Sequence, residues 1–504
     1  MMPPASSPSV SSFAAGPAEI TPPLDRATRW AYGSGAIANG VRSVAFSVYL
    51  MFYFNQVLGV PAAIVSTAIA LTLVIDAMFD PLLGRWSDTI RTRWGRRHPF
   101  IYGSAIPTAL FFALVWFPPQ GLSNAQIGIW IFATAMLTRI SISSFEITTQ
   151  AMTTELTDDY TERTRLFSLR FWFLYIGQSG FAALCLLVFF TPTPEFPRGQ
   201  LNPESYVGFA ILGSVLMLAS MLVCGLGTHR RIPFLRQAEQ RAQRTTARAH
   251  LGEMFLAVRN RAFLSIFGFG VLKFTAIGLF SAFSLYFQTY LFGFKASEMA
   301  LLALDSVVAA TIAAPLAPRM SKWLGKRTSS MLFAIGGVSM GLTPLVLSYF
   351  GLFLPVGDPM LLPLMLVIGA VYGAMVAISL INTSSMLADV VEDSAVRTGR
   401  HEAGIFFGAS SFMAQCSVAL GILLSGIILS LAEFPPRAAP EMVTPAMIQT
   451  LLAYYIPTSA LLWLAGCAML FFYPITRQRH EANVALLKAR ETGAPGRNPA
   501  PSAP

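Results

Sequence analysis

Apolar segments long enough to cross a bilayer recur twelve times along the chain, and no other property limits its fold so tightly. A hydrocarbon layer of about 30 Å needs roughly 20 apolar residues of helix. Backbone groups in lipid must be satisfied within the protein, which leaves only helices and closed barrels as spanning structures. The segments fall near 29–56, 62–87, 99–118, 125–154, 167–191, 205–228, 261–291, 298–322, 329–352, 360–388, 403–431 and 448–475. Runs of this length read as helices, so the expected fold is an all-α membrane protein with twelve transmembrane helices. The charged fraction agrees: 12% of the residues are Asp, Glu, Lys or Arg, about half the share in a soluble domain.

Charge alternates from loop to loop. Loops after even-numbered spans carry Arg91, Arg93, Arg96 and Arg97, then Arg163 and Arg165, then six arginines between Arg230 and Arg248, then Lys326 and Arg327, then Arg397 and Arg400. Loops after odd-numbered spans hold little beyond Arg198, Lys295 and Arg437. By the positive-inside rule both termini and the central loop are expected in the cytoplasm. The net charge of +10 therefore reads as topology and implies no nucleic-acid partner. All five histidines lie in loops on the basic side, which argues against a histidine proton relay within the membrane. Cys185, Cys224, Cys416 and Cys467 lie in apolar runs without paired spacing, so neither disulfides nor zinc is indicated. No Gly-x-x-x-x-Gly-Lys-Ser/Thr sequence occurs, which excludes a phosphate-cradling loop of that type.

The organisation expected is a disordered Pro-, Ser- and Ala-rich tail over 1–25, six helices over 26–228, a cytoplasmic loop over 229–260, six more helices over 261–475 and a tail over 476–504. The tail 1–25 has no basic run before an apolar core and is not expected to be a signal peptide. The central loop reads as a surface helix or solvated linker at the inner leaflet. A faint internal echo, PLLGRWSDTIRTRWGRRHPF after the second span against APLAPRMSKWLGKRTSSMLF after the eighth, suggests two related halves enclosing a midplane site.

Chemistry concentrates between Leu73 and Pro99. Asp76 and Asp80 are four residues apart, so both carboxylates leave one face of the second helix, with Pro81 beside them. Ionisable groups at that depth mark ion paths or proton relays by default, the alternative being an ion pair that locks helices together. Arg139 and Glu146 lie seven apart on one face of the fourth helix, where one charge can answer the other. Three carboxylates, Asp76, Asp80 and Glu146, suit a hard cation such as Na⁺ through oxygen ligands, or a shared proton. The residues leave that choice open. Arg42, Lys273 and Asp305 also lie well inside apolar runs. Arginines there suit a carboxylate or phosphate on the cargo, while Lys273 and Asp305 fit an interhelical latch equally well. Trp172, Tyr175 and Phe274 fit stacking on cargo or plain packing.

Several ordered stretches resemble one family. Asp76-Ala-Met-Phe-Asp80-Pro81-Leu-Leu-Gly84 and Arg93-Trp94-Gly95-Arg96-Arg97-His98-Pro99-Phe100 are similar to the signature of the glycoside-pentoside-hexuronide:cation symporters, a branch of the major facilitator superfamily. The stretches Ala151 to Arg165 and Arg400 to Gly408, with Tyr32-Gly33-Ser-Gly35-Ala36 and Tyr49 to Tyr53, agree and spread the resemblance over most of the chain. It implies a fold of two pseudo-symmetric six-helix bundles and cation-coupled symport of a sugar, glycoside or uronide-like solute by alternating access. It implies no cofactor, a coupling ion that is Na⁺ or H⁺, and a transporter rather than an enzyme. A monomer in a bacterial inner membrane is the expected form.

By the same resemblance, Asp76 and Asp80 match the paired cation-site aspartates, Glu146 the helix-four carboxylate of that site and Arg170 a helix-five sugar-binding arginine. Asn39, Arg42, Arg139, Lys273 and Gln415 complete the expected cargo-binding set. Gly84, Asp88, Gly95, Arg96 and Arg97 resemble the superfamily's gating motif, in which Gly84 would allow close helix contact and Asp88 would pair with a loop arginine. Glu155, Asp158 and Asp159 opposite Arg163 and Arg165 would do the same between helices four and five, the alternative being a solvated charge run. Two departures put galactoside recognition in question: Gly40 stands where the type member has a sugar-binding aspartate, and Gln415 or Ala414 stands at the family's helix-eleven lysine. Two rival readings are an amphipathic anionic cargo such as a lysolipid, and a membrane-embedded enzyme.

Overall fold

The computed structural model describes residues 23–90, 92–157, 159–235, 260–398 and 403–491. Among the described residues, twelve helices are long and apolar enough to span a membrane: α1 (Arg26–Val57), α2 (Ala62–Gly84, its helix running on to Thr89), α3 (His98–Val115), α4 (Asn124–Leu156), α5 (Glu162–Val188), α6 (Ser205–His229), α7 (Arg261–Leu291), α8 (Ala296–Leu324), α9 (Lys326–Tyr349), α10 (Leu361–Thr398), α11 (Ile405–Leu431) and α12 (Pro445–Leu470). They form two bundles of six helices, α1–α6 and α7–α12. Most of the central loop and the first 22 residues, where a surface helix and a tail were expected, lie outside the described residues.

Local sequence sets where these helices start. Ser123 and Gln126 exchange bonds in a capping box ahead of α4. Asn260 accepts from the N–H groups of Ala262 and Phe263 ahead of α7. Asp25 accepts from the Thr28 N–H, and the Thr28 hydrogen bonds hold its carboxyl below the usual range. Large apolar side chains such as Leu461 (68% exposed) and Ile106 (67% exposed) point outward. That is the surface a lipid phase requires and water would penalise.

The two bundles share a device at the same place. In the first, α1 crosses α5 where Gly40 meets Gly177: a Cβ on Gly40 would lie 2.2 Å from the Leu174 carbonyl oxygen, and one on Gly177 would lie 2.6 Å from that of Ile37. In the second, α7 crosses α11 where Gly278 meets Gly421, with equivalent approaches of 2.5 Å to Val418 O and 2.2 Å to Thr275 O. Backbones this close admit no side chain, as at small-residue contacts between membrane helices generally. The departure at Gly40 has its physical reason here: the position is a helix crossing and has no room for a carboxylate.

Helix geometry is interrupted in four spans. π-turns occupy Ala45–Tyr49 and Tyr53–Val57 in α1, Ile176–Gly180 in α5 and Phe287–Leu291 in α7. Span α8 is broken after Leu302 and resumes at Asp305. Beyond the spans, the expected tail is helical over Arg477–Glu491 (α13). It docks on the end of α10 through Arg479 Nε to Asp393 Oδ1 (2.9 Å) and Asn483 Nδ2 to the same oxygen (3.0 Å).

Hydrogen bonds between the halves concentrate at the end away from the basic loops. Tyr286 Oη donates to Asn55 Oδ1 and Tyr290 Oη to Gln56 Oε1, both at 2.8 Å. Arg437 N donates to Asn55 O (3.2 Å), and Gln56 reaches Pro435 O and the Ala438 N–H. At mid-depth α5 and α8 touch through Ser179 and Ser306 (2.8 Å), and α2 and α11 through Asp80 and Gln415 (2.8 Å). Among the described residues, no hydrogen bond joins the halves at the basic end.

Candidate functional site

At mid-depth in the first bundle, charged groups form two clusters along α4. In one, Asp76, 3% exposed, faces Arg139 Nη1 at 3.5 Å and accepts from Ser143 Oγ at 3.2 Å. Asp80, one turn along α2, accepts from Gln415 Nε2, while its other oxygen is buried without a donor. Arg42 donates twice to Asn39 Oδ1, at 2.6 and 3.2 Å. Asn39 therefore orients an arginine. Arg139 also lies over the Phe46 ring at 5.4 Å.

The second cluster is built on Glu146, three residues past Ser143. Glu146 Oε1 takes Arg170 Nη2 and Gln150 Nε2, both at 2.8 Å, while Oε2 is buried without a donor. Arg170, 5% exposed, lies over the Tyr32 ring at 5.3 Å, and its Nη1 has no acceptor. Tyr32 is fixed in turn by the Thr149 carbonyl at 2.8 Å and by Thr153 Oγ1.

Arg139 and Glu146 thus answer other helices rather than each other. Seven residues on one helix separate them by about 10.5 Å along the axis, and carboxylates closer to Arg139 and guanidines closer to Glu146 take precedence. The structure brings Asp76, Asp80 and Arg139 together and joins Glu146 to Arg170. It does not converge Asp76, Asp80 and Glu146 into one ligand set, since Asp76 and Glu146 each hold an arginine. Among the described residues the only His, Cys, Asp and Glu group whose ligand atoms all lie within 4.8 Å is Asp389, Glu392 and His480, at the α10–α13 contact. Lys326 already binds both Asp389 oxygens there, at 2.6 and 2.8 Å.

Lys273 and Asp305 do not form the latch considered from the sequence. Lys273, 1% exposed, reaches Thr383 Oγ1 at 3.5 Å and lies over Phe269 and Phe274 at 4.5 and 5.3 Å. Asp305 lies against Gly369 of α10, in a different cavity. The aromatic Trp172 packs edge-on against Trp30 and Phe173 and is half exposed.

The expected gating residues divide. Glu155 Oε1 receives Arg96 Nη2 (2.6 Å) and Arg97 Nε and Nη2 (2.9 and 2.7 Å), and Arg97 Nη1 reaches Ser87 Oγ (2.8 Å). This ties the ends of α2, α3 and α4 together within one bundle. Gly95 sits at φ +72°, the left-handed conformation its turn needs. Arg163 donates to the Thr157 and Thr154 carbonyls (2.9 and 3.4 Å), capping α4 rather than taking Glu155. Gly84 is not a close helix contact: a Cβ there would meet only Ile147, at an ordinary 3.6 Å. The Asp88 side chain lies outside the described residues.

Known proteins agree with this architecture. The chain is 25% identical to an uncharacterized symporter of Synechocystis, over 92% of this chain and 97% of that one. It is 23% identical to a glucuronide carrier protein homolog of Escherichia coli, over 91% and 95%. Its fold is similar to the inward-open xylose transporter XylE of E. coli, with a TM-score of 0.58 at 14% identity, over 91% and 98% of the two chains. Residues 31–477 match the family described as MFS/sugar transport protein. With twelve spans in two bundles and a helix-two Asp pair in the matched region, the chain belongs to that family, and within it to the glycoside-pentoside-hexuronide:cation symporters.

Proposed function

We propose that this protein accumulates a sugar, glycoside or uronide-like solute by coupling its uptake to the downhill influx of Na⁺ or H⁺. The observation that carries the reading is the bond between Asp80 of α2 and Gln415 of α11, which ties an acidic site in one bundle to the other bundle. The cation is held at Asp76 and Asp80, where the spare Asp80 oxygen and Ser143 offer hard donors. Glu146, on the next turn of α4, completes that site once Arg170 turns to the cargo. Arg170, Arg139 and Arg42 supply donors for hydroxyl or carboxylate groups of the cargo. The name of the E. coli relative, a glucuronide carrier homolog, supports a uronide-like substrate.

The basic end and both termini face the cytoplasm of a bacterial inner membrane. On that orientation the conformation described is inward-facing, sealed outside by the Asn55–Tyr286 and Gln56–Tyr290 bonds. Both bundles belong to one chain, which supports a monomer as the working unit. If cation and cargo each raise the other's affinity, the ion gradient drives accumulation. The test is uptake of labelled glucuronides and methyl glycosides into proteoliposomes under an imposed Na⁺ or pH gradient. Concentrative uptake that collapses with one gradient supports the reading; uptake indifferent to both gradients overturns it.

A further inference from the structure

A largely apolar cavity that holds a few polar groups, apart from the arginine clusters, is lined wholly by residues of the other bundle. It has a volume of about 270 Å³ and is walled by α7, α8, α9 and α10. The carboxylate of Asp305 enters it at the point where α8 breaks and resumes. Gly369 makes room for that carboxylate: a Cβ there would lie 2.5 Å from Asp305 Oδ2. No lysine, arginine or histidine lines the cavity, and among the described residues no salt bridge is made to Asp305. Phe280 and Tyr372 form a pair of rings 5.3 Å apart on one wall. Gln288, bonded to Ser284 Oγ at 3.3 Å, and Ser306 supply neutral polar groups. Ser306 also bonds Ser179 of α5, so one wall of the cavity is part of the seam between the halves.

An acid without a counter-charge, aromatic faces and a few neutral donors and acceptors make a combination with limited uses. A metal ion would find one carboxylate where hard cations take six or more oxygens. An anionic group would meet like charge. A ring bearing hydroxyls has donors for the carboxylate and an apolar face for the aromatic wall, the usual division of labour in a small-molecule pocket. We propose that this cavity binds a neutral pyranose or pentose ring of the cargo, with Asp305 accepting its hydroxyls. The inference rests on the sugar or glycoside reading above and adds a specificity site in the second bundle. Its position on the α5–α8 seam lets ring binding act on the contact between halves.

The experiment is calorimetric titration of the full-length protein in nanodiscs with methyl glycosides of several hexoses and pentoses, and with choline as the competing chemistry. Wild type is expected to bind at least one neutral glycoside. Asp305→Asn is expected to weaken it about 10- to 100-fold, as loss of a charge-assisted hydrogen bond does. Ser284→Leu, which fills the cavity, is expected to abolish it. Cation-induced thermal stabilisation is expected to stay at the wild-type level in both variants. Should Asp305→Asn lower the melting temperature, Gln288→Ala is read in its place, with weaker binding again expected. Wild type binding a glycoside that the variants bind equally well overturns the cavity assignment alone. Asp305-dependent binding of choline in place of glycosides overturns it too. Wild type binding no glycoside removes both this site and the cargo class on which it rests.

Discussion

Gln415 on α11 donates a hydrogen bond of 2.8 Å to Asp80 on α2, across the boundary between the two bundles. Any ligand that takes the bonded Asp80 oxygen competes with that bond, so a cation held there, as proposed, would be linked to the packing of the halves through one side chain. Gln415→Leu removes the donor but leaves the carboxylate. The expected result is retained cation binding with cargo affinity that no longer depends on the cation. Titrating cargo with and without the coupling ion measures this, and an unchanged dependence would remove Gln415 from the link.

Arg139 and Asp76 are both about 95% buried, so removing one leaves the other charged in an apolar surround. Arg139→Ala is expected to destabilise the protein by about 3–5 kcal/mol. The double variant Arg139→Ala with Asp76→Asn should recover part of that loss. Melting temperatures of the four forms close the cycle. Additive losses would show that the pair does not interact.

Backbone crossings give the steepest steric expectations. Gly40→Val and Gly278→Val each drive a side chain into a carbonyl oxygen 2.2–2.5 Å away, and little folded protein is expected. Gly84→Ala, whose Cβ would make only an ordinary 3.6 Å contact with Ile147, is expected to fold with unchanged stability to within about 0.5 kcal/mol. Yield of monodisperse protein in size-exclusion chromatography separates the two outcomes.

Tyr286→Phe deletes the hydroxyl that seals Asn55. Losing one such bond, worth about 1 kcal/mol, should raise the population open at that end about fivefold. The labelling rate of a cysteine introduced at Val57, in a background cleared of accessible thiols, reports it. An unchanged rate would mean the contact does not hold the gate.

The spans and the helix-two Asp pair were legible in the sequence because both are signals of composition and period. Observed span ends fall close to those read from hydropathy at most boundaries, as Ser205–His229 against 205–228 shows. The exceptions have physical causes. Helix α10 continues to Thr398 because its polar end binds α13 through Asp389 and Asp393, contacts no hydropathy window can register. The α13 helix is too charged to read as more than a tail. The break after Leu302 carries neither Gly nor Pro. Which acid each arginine would choose depended on distances between helices, so Arg139 with Asp76 and Arg170 with Glu146 became visible only in three dimensions.

In the function proposed, Asp80 helps hold the coupling cation and passes its presence to the cargo. The most direct measurement is gradient-driven uptake and equilibrium exchange of one cargo in proteoliposomes, comparing wild type with Asp80→Asn. Concentrative uptake is expected to vanish in the variant, the internal level stopping at the external one, while exchange persists. Accumulation by Asp80→Asn at the wild-type ratio would contradict the account.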